Sequence, residues 1–358
     1  METKNEETKT LEPRRDEGTK RSRTNRGMGL GALAKVTDAD VIERTTETLE
    51  VGPMTAYLNM IVFPLLGPPE ERGPRYLTMT EALAGDFLEV TEVDHGGSVP
   101  YLRVRNLSPE NVLLLDGEEL AGAKQNRVLN TTVLVAAGVE AVVPVSCTER
   151  GRWSYNTHKF LDSKLLMAKK ARSNKSRSVS DSLKLNADFC SYQSMVWEDI
   201  DAYLGDYGSV SSTSAMKDVY EQREREFAGY REAFPCLDGQ RGLAVFVNGS
   251  FSGWEVVSRS RAYAQVHRKI VESHAVDACL ERKASSEVPS EEKALSLVRE
   301  IPRWNSERFK SVGLGDDVRL SRRDSHGNAL LVDQSVVHLT VFGPQSQSRS
   351  FHDADEEL

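Results

Sequence analysis

Short runs of Val, Leu, Tyr and Thr, punctuated by Gly, Pro and Asn, dominate the chain from about Leu49 to Cys147, the pattern of β-strands joined by turns. The runs predict strands at Tyr57–Pro64, Leu88–Val93, Tyr101–Asn106, Val112–Leu115, Arg127–Val135 and Glu140–Val145. Val128–Val135 and Val139–Val145, joined by Ala136-Ala137-Gly138, read as a hairpin whose glycine supplies the turn conformation. Thr80–Leu83 opens a short helix. After Phe160 the pattern changes: Lys164, Lys169, Lys170, Arg172, Lys175 and Arg177 occur with no acidic residue between them, in a Ser-rich stretch that continues to Ser182. Such a stretch reads as a solvated linker or, more sharply, as a phosphate-binding segment. Helical spacing follows at Tyr192–Leu204 and Met216–Ala233. Strand character returns in Gly242–Val257 around Asn248-Gly249, the strongest hairpin signal in the chain. Arg261–Arg282 and Ser290–Glu300 read as helices, the second stopped by Pro302, and Phe309–Val312, Val318–Leu320, Ala329–Val332 and Val336–Phe342 as closing strands.

Strands and helices do not alternate regularly, which argues against a doubly wound parallel sheet. The expected fold class is α+β: a mainly antiparallel β-sheet system with a helical insertion between two β-rich halves. Residues 1–45 mix Lys and Arg with Glu and Asp and hold few sizeable aliphatics, so they are expected to form a disordered charged N-terminal extension. One domain is expected over residues 46–343, comprising a β-rich part (46–160), the basic linker and helical insert (161–240) and an α+β closing half (241–343). Residues 344–358 read as an acidic, frayed tail.

Composition narrows the function classes. A chain of 358 residues with 39% hydrophobic content buries a sizeable core, and a net charge of −8 disfavours a dedicated nucleic-acid coat, leaving that role only to disordered basic segments. Cys147, Cys190, Cys236 and Cys279 lie far apart with no C-x-x-C pair, as expected of reduced thiols in the cytoplasm. No signal-peptide core and no apolar run of membrane-spanning length occurs. His267 and His274 share a predicted helix but stand too far apart along it to hold one metal, and no metal site is expected.

Two polar strings carry the candidate chemistry. The first runs from Asp116 through Gly117, Glu118, Glu119, Gly122, Lys124, Gln125, Asn126 and Arg127 to Asn130, between two apolar strands. Paired carboxylates suit general acid–base work or a divalent ion, and the cations suit phosphate or carboxylate. The bland reading is a surface turn laced with salt bridges. The second, Pro144-Val145-Ser146-Cys147-Thr148-Glu149-Arg150-Gly151-Arg152-Trp153, ends the strand that follows Gly138. Arg150 and Arg152 would favour a Cys147 thiolate if close in space, although a lone strand cysteine is more often buried and inert. Trp153 is suited to stacking on a ring or to closing the core edge. His338, within Val336–Thr340, has no role that alternation alone decides.

The string Leu115–Asn130, then Pro144–Cys147 with Glu149–Trp153, resembles the bacterial and archaeal domain associated with ADP-ribosylglycohydrolase and rhodanese-phosphatase proteins. The likeness extends to Phe309–Gly315 and Val337–Leu339, most of residues 47 to 343. It implies a domain without an established activity, linked by its neighbourhoods to ADP-ribose or NAD metabolism and to conflict systems. The family-like positions are Glu118, Glu119, Lys124, Gln125, Asn126, Arg127, Asn130, Cys147, Glu149, Arg152, Trp153 and His338.

Two functional expectations follow, with the cofactor undetermined. In one, the two strings form a pocket for an ADP-ribose-like or other nucleotide-like molecule. Lys124, Arg127 and Arg152 would hold anionic groups there, with Gln125, Asn126, Asn130, Glu149 and His338 as further ligand contacts, Trp153 stacking, and Glu118, Glu119 and Cys147 as catalytic candidates. In the other, the chain is a non-catalytic regulatory or scaffold module that docks on a partner enzyme through its helical insert.

Overall fold

The computed structural model describes residues 36–68, 71–93, 100–186, 188–281 and 287–344. The chain begins with α1 (Asp38–Glu47), β1 (Glu50–Val51), β2 (Thr55–Tyr57), β3 (Met60–Leu66), β4 (Tyr76–Thr78), α2 (Met79–Ala84), β5 (Leu88–Glu92) and β6 (Tyr101–Asn106). It continues through β7 (Asn111–Leu114), β8 (Glu118–Gly122), β9 (Arg127–Leu129), β10 (Val133–Val135), β11 (Glu140–Cys147) and β12 (Phe160–Leu166). Four helices follow: α3 (Lys169–Asn186), α4 (Gln193–Tyr207), α5 (Met216–Gln222) and α6 (Glu224–Ala233). The closing half holds β13 (Gln240–Val247), β14 (Ser250–Val257), α7 (Ser260–Leu280), α8 (Glu291–Arg299), a 3-10 turn at Ile301–Arg303, β15 (Asn305–Lys310), β16 (Asp316–Arg322), β17 (Ser325–Val332) and β18 (Ser335–Phe342).

The fold is α+β with mainly antiparallel sheets, as expected. The largest sheet has the order β1-β3-β13-β14-β18-β17-β16-β15, with β2 added to β3. Along β3, Met60 and Val62 enter one core and Ile61, Phe63 and Leu65 the other, because successive side chains leave opposite faces of a strand. One face packs on α1 and α8 through Val41, Ile42, Ala294 and Val298; the other packs on α7 and the helices α4 to α6. A six-stranded sheet, β12-β8-β9-β11-β6-β5, and a three-stranded one, β10-β7-β4, enclose a third core with Met79 and Ala82 of α2. Among the described residues, only the β4–β7 pair is parallel. At the tip of the β13–β14 hairpin both Asn248 (φ 51°) and Gly249 (φ 76°) are left-handed, the conformation that a two-residue turn matching strand twist requires.

Several expectations are corrected. Residues 38–45, placed in a disordered extension, belong to α1: Thr37 caps the helix through the amide of Asp40, whose side chain caps Thr37 in return, and Val41 and Ile42 are buried. Residues 1–35 and 345–358, with the acidic tail, lie outside the described residues. Arg127–Val135 is not one strand. It breaks at Asn130–Thr132, so β9 pairs with β11 while β10 leaves to pair with β7. The stretch from Lys164 to Ser182 is not a solvated linker but the end of β12 followed by α3, in which Arg172, Ser173, Lys175 and Ser176 are buried. Met216–Ala233 is two helices divided at Arg223.

Candidate functional site

β8 and β9 run side by side, with Glu119 opposite Val128 and Leu120 opposite Arg127, and the end of β11 flanks β9 with Cys147 opposite Arg127. This pairing brings the two polar strings together. Between β8 and β9 the chain turns tightly through Gly122 (φ 123°) and Ala123 (φ 39°), and Arg152 closes the turn from outside. Its Nε donates to both Glu149 carboxylate oxygens at 2.9 Å, its Nη1 to the Ala123 carbonyl at 2.6 Å, and its Nη2 to Asn126 Oδ1 at 3.2 Å. Thr213 also donates to Glu149, at 2.9 Å, and the Asn126 amide donates at 3.3 Å. Burial would raise the Glu149 pKa, but Arg152 and Thr213 outweigh it and hold it below the usual value. Arg152 is therefore a clamp on the turn, with its hydrogen bonds directed at the protein.

Glu118 and Glu119 point in opposite directions. Glu118 accepts from Lys269 Nζ at 2.7 Å and from the Leu115 amide at 2.9 Å, and Lys269 also reaches Asp162 at 3.0 Å and Thr80 at 3.0 Å. Burial works against the Lys269 charge, yet the two carboxylates raise its pKa overall. Glu119 accepts from the Thr148 hydroxyl at 2.5 Å through one oxygen, and its other oxygen has no partner. Burial pushes its pKa up to about 7 despite the Thr148 hydrogen bond. Within this cluster, Glu119 is thus the group whose titration matches proton transfer near neutrality.

Around Arg127 the arrangement is different. Its side chain is fully buried; Nη1 donates to Gln125 Oε1 at 3.1 Å, while Nε and Nη2 have no hydrogen-bond partner. Glu92 stands 3.7 Å from Nη2 with both oxygens likewise unpartnered, an ion pair without a hydrogen bond. Over this pair lies Trp153, 49% exposed, with the Arg127 guanidinium 5.9 Å and Lys124 Nζ 5.2 Å from its ring. Lys124 also lies 5.3 Å from the Tyr155 ring, itself exposed. Cys147 is buried beside Arg127, and burial pushes its thiol up to about 11 against the pull of that guanidinium. The cations expected to activate it are elsewhere: Arg150 pairs with Asp201 at 3.0 Å and Arg152 with Glu149. The environment opposes a thiolate.

A second polar network, which sequence reasoning missed, fills the interior between the sheets. Arg172 of α3 binds Glu255 of β14 through two hydrogen bonds of 2.8 and 2.7 Å, and Lys175 pairs with Asp116 while donating to the Leu129 carbonyl at 2.8 Å. His338 joins it: Nε2 lies 2.7 Å from Glu255 and Nδ1 2.8 Å from the Thr132 hydroxyl. Burial would raise the Glu255 pKa, but Arg172 and His338 lower it well below the usual range. Gly117 (φ 86°) is required here, since a Cβ would lie 2.7 Å from Arg172 Cδ. Asn130 donates to the Phe189 carbonyl at 3.1 Å and accepts from Ser146 at 2.7 Å, and Thr131 donates to Asp317 at 2.6 Å. These bonds explain why the Arg127–Val135 strand breaks where it does.

Of the sequence-derived candidates, then, Lys124, Gln125, Asn126, Arg127, Cys147, Glu149, Arg152 and Trp153 gather around the β8–β9 turn, while Glu119 leaves the opposite face of the sheet from Arg127, against Thr148. Glu118, Asn130 and His338 belong to the ion-paired interior. Glu92, Tyr155, Arg172, Lys175, Glu255 and Lys269 were missed; the one signal for α3 is that Ala168, Ala171, Val179 and Leu183 recur at helical spacing on the face that carries Arg172 and Lys175. His95 and His352 lie outside the described residues. His267 and His274 are buried with separate partners, the Phe234 carbonyl at 2.7 Å and Ser252 at 3.0 Å. Among the described residues, no helix is long and apolar enough to cross a membrane, and no group of three His, Cys, Asp or Glu side chains is arranged to hold a metal ion.

These features define an α+β domain with a charged, ion-paired interior and an aromatic, cationic edge at one strand turn. The chain belongs to the ARG and Rhodanese-Phosphatase-superfamily-associated Protein domain family, whose profile matches residues 48–342. No curated protein and no solved structure matched it.

Proposed function

We propose that the edge formed by Lys124, Arg127, Trp153 and Tyr155 binds an anionic, nucleotide-derived ligand of the ADP-ribose type. The observation that carries this reading is a half-exposed tryptophan held over two cations, one of which, Arg127, keeps two donors without hydrogen bonds beside the Glu92 carboxylate. Base stacking on an aromatic side chain contributes about 1–3 kcal/mol, and buried unpartnered guanidinium donors supply positive potential toward phosphate. Glu119 is half-titrated near neutrality, but it stands one register position from the Leu120–Arg127 pair and its side chain leaves the opposite face of the sheet, so the binding reading rests on the aromatic and cationic groups alone. The association of the family with ADP-ribosylglycohydrolases supports this ligand class.

Docking on a partner enzyme through the helical insert has less behind it. Val196, Ile200, Tyr203 and Leu204 of α4, Val219 of α5 and Phe227 and Tyr230 of α6 are buried in the chain's own core, so the apolar faces that suggested docking are already covered.

Isothermal titration with ADP-ribose, NAD and AMP tests the proposal on wild-type protein and on Trp153→Ala. Saturable heat with ADP-ribose, weakened in the variant, is the expected outcome. Absence of heat with all three compounds in the wild type, or unchanged affinity in Trp153→Ala, contradicts it.

A further inference from the structure

A separate cavity of about 70 Å³ lies where the start of α3 meets the β13–β14 hairpin and α7, lined by Lys169, Lys170, Ser250, Ser252, Asp277 and Glu281 among others. A buried water needs roughly 10–15 Å³, so this space accommodates several waters or a compound of a few heavy atoms. Lys169 is 7% exposed and, among the described residues, donates no hydrogen bond and forms no ion pair. The contrast with the buried lysines Lys175 and Lys269 is sharp, since each of those meets a carboxylate and further oxygen acceptors. Asp277 on the cavity wall is fixed by the Tyr203 hydroxyl at 2.5 Å and the Lys170 amide at 2.8 Å, and Ser252 is held by His274 Nδ1 at 3.0 Å.

We propose that Lys169 is a nucleophilic lysine that captures a small aldehyde in this cavity as an imine, with Asp277 as the proton carrier. Nζ adds to the carbonyl carbon, the π pair moves to oxygen, and one N–H proton follows it to give a carbinolamine. The Asp277 carboxyl then protonates the departing hydroxyl, water leaves as the C=N bond forms, and the remaining N–H proton returns to the carboxylate. Two features of the groups favour the step. Burial lowers the Lys169 pKa, against the attraction of Asp277 and Glu281, which enlarges the neutral amine fraction. Burial also pushes Asp277 up to about 6, where the acid and its conjugate base are both available near neutrality. The site is distinct from the Trp153 edge and does not depend on it.

Reductive trapping decides the matter on the full chain. Protein at neutral pH is treated with glycolaldehyde and sodium cyanoborohydride, and alkylation at each lysine is followed by peptide mass spectrometry. Lys169, facing the cavity with its neutral amine favoured by burial, should label several-fold faster than neighbouring Lys170. Asp277→Asn removes both the proton carrier and the charge that raises the Lys169 pKa, so its signature is the loss of the pH dependence of Lys169 labelling around pH 6, with Lys170 unchanged. Labelling of Lys169 at or below the Lys170 rate in the wild type overturns the proposal, and this comparison needs no variant to fold. An Asp277→Asn protein that melts like the wild type and keeps the same pH profile of Lys169 labelling removes Asp277 from the step.

Discussion

Two charge-rich regions of this molecule behave in opposite ways. In the interior, Asp116, Arg172, Lys175, Glu255 and His338 are buried and joined in one ion-paired network in which only Asp116 Oδ2 and Arg172 Nε, 3.5 Å apart, lack a hydrogen bond. At the β8–β9 edge, Arg127 and Glu92 are equally buried but leave two donors and two acceptors unmatched, beneath rings that reach solvent. Density of charge in the sequence is similar in both; what separates them is whether the partners are met inside the protein. A network whose charges are largely matched inside the protein fixes the packing of α3 between sheets, whereas unmatched groups beside an exposed aromatic are available to something that arrives from outside.

The largest expected effect comes from breaking the interior. Arg172→Met leaves Glu255 and Asp116 buried with one cation fewer, and removing one partner of a buried pair costs about 3–5 kcal/mol. Denaturant unfolding measures it, and Lys269→Met, which strands Glu118 and Asp162, should fall in the same class. At the edge the ranking reverses: Trp153→Ala should weaken ligand binding by about 1–3 kcal/mol, the worth of one stacked base. Its melting temperature should hardly move, because the side chain is half exposed. Should Arg172→Met instead prove as stable as wild type, the distinction between the regions fails.

The pH dependence sharpens the contrast. Glu119 titrates at about 7 in the folded chain against an ordinary value of 4.5. The unfolded chain therefore releases this proton first, and the stabilisation is complete below 4.5 and lost as pH rises through 7, with a slope of at most ~1.4 kcal/mol per pH unit. Glu119→Gln should flatten the stability profile over that window. Glu255 acts with the opposite sign: its lowered pKa contributes stability that disappears as pH falls below the ordinary carboxylate range. The smallest effect belongs to the exposed Arg103–Glu140 pair, where Glu140→Ala should cost no more than about 1 kcal/mol in the same unfolding assay.

Much of the β-framework was legible because strand patterning and turn chemistry are local. Tyr101–Asn106 and the Asn248-Gly249 turn emerge as expected, with Asn248 and Gly249 both left-handed. α3 was not legible, since Lys, Arg and Ser in sequence look solvated and the residues that bury them, Asp116 and Glu255, come from 59 and 83 positions away. The break at Asn130–Thr132 was hidden for the same reason: the polar side chains answer Ser146, Asp317 and His338, which no local window contains. For the site, the two strings were readable as polar clusters and their convergence follows from strand pairing. Which of their groups would remain unmatched was not readable, because Glu92 lies on β5 and only packing sets it beside Arg127.

Hydrogen–deuterium exchange with and without ADP-ribose most directly tests the division between a largely matched interior and an available edge. Protection should concentrate in peptides covering Lys124–Arg127 and Glu149–Tyr155, with α3 unchanged. Protection centred on α3, or none anywhere at saturating ligand, would contradict it.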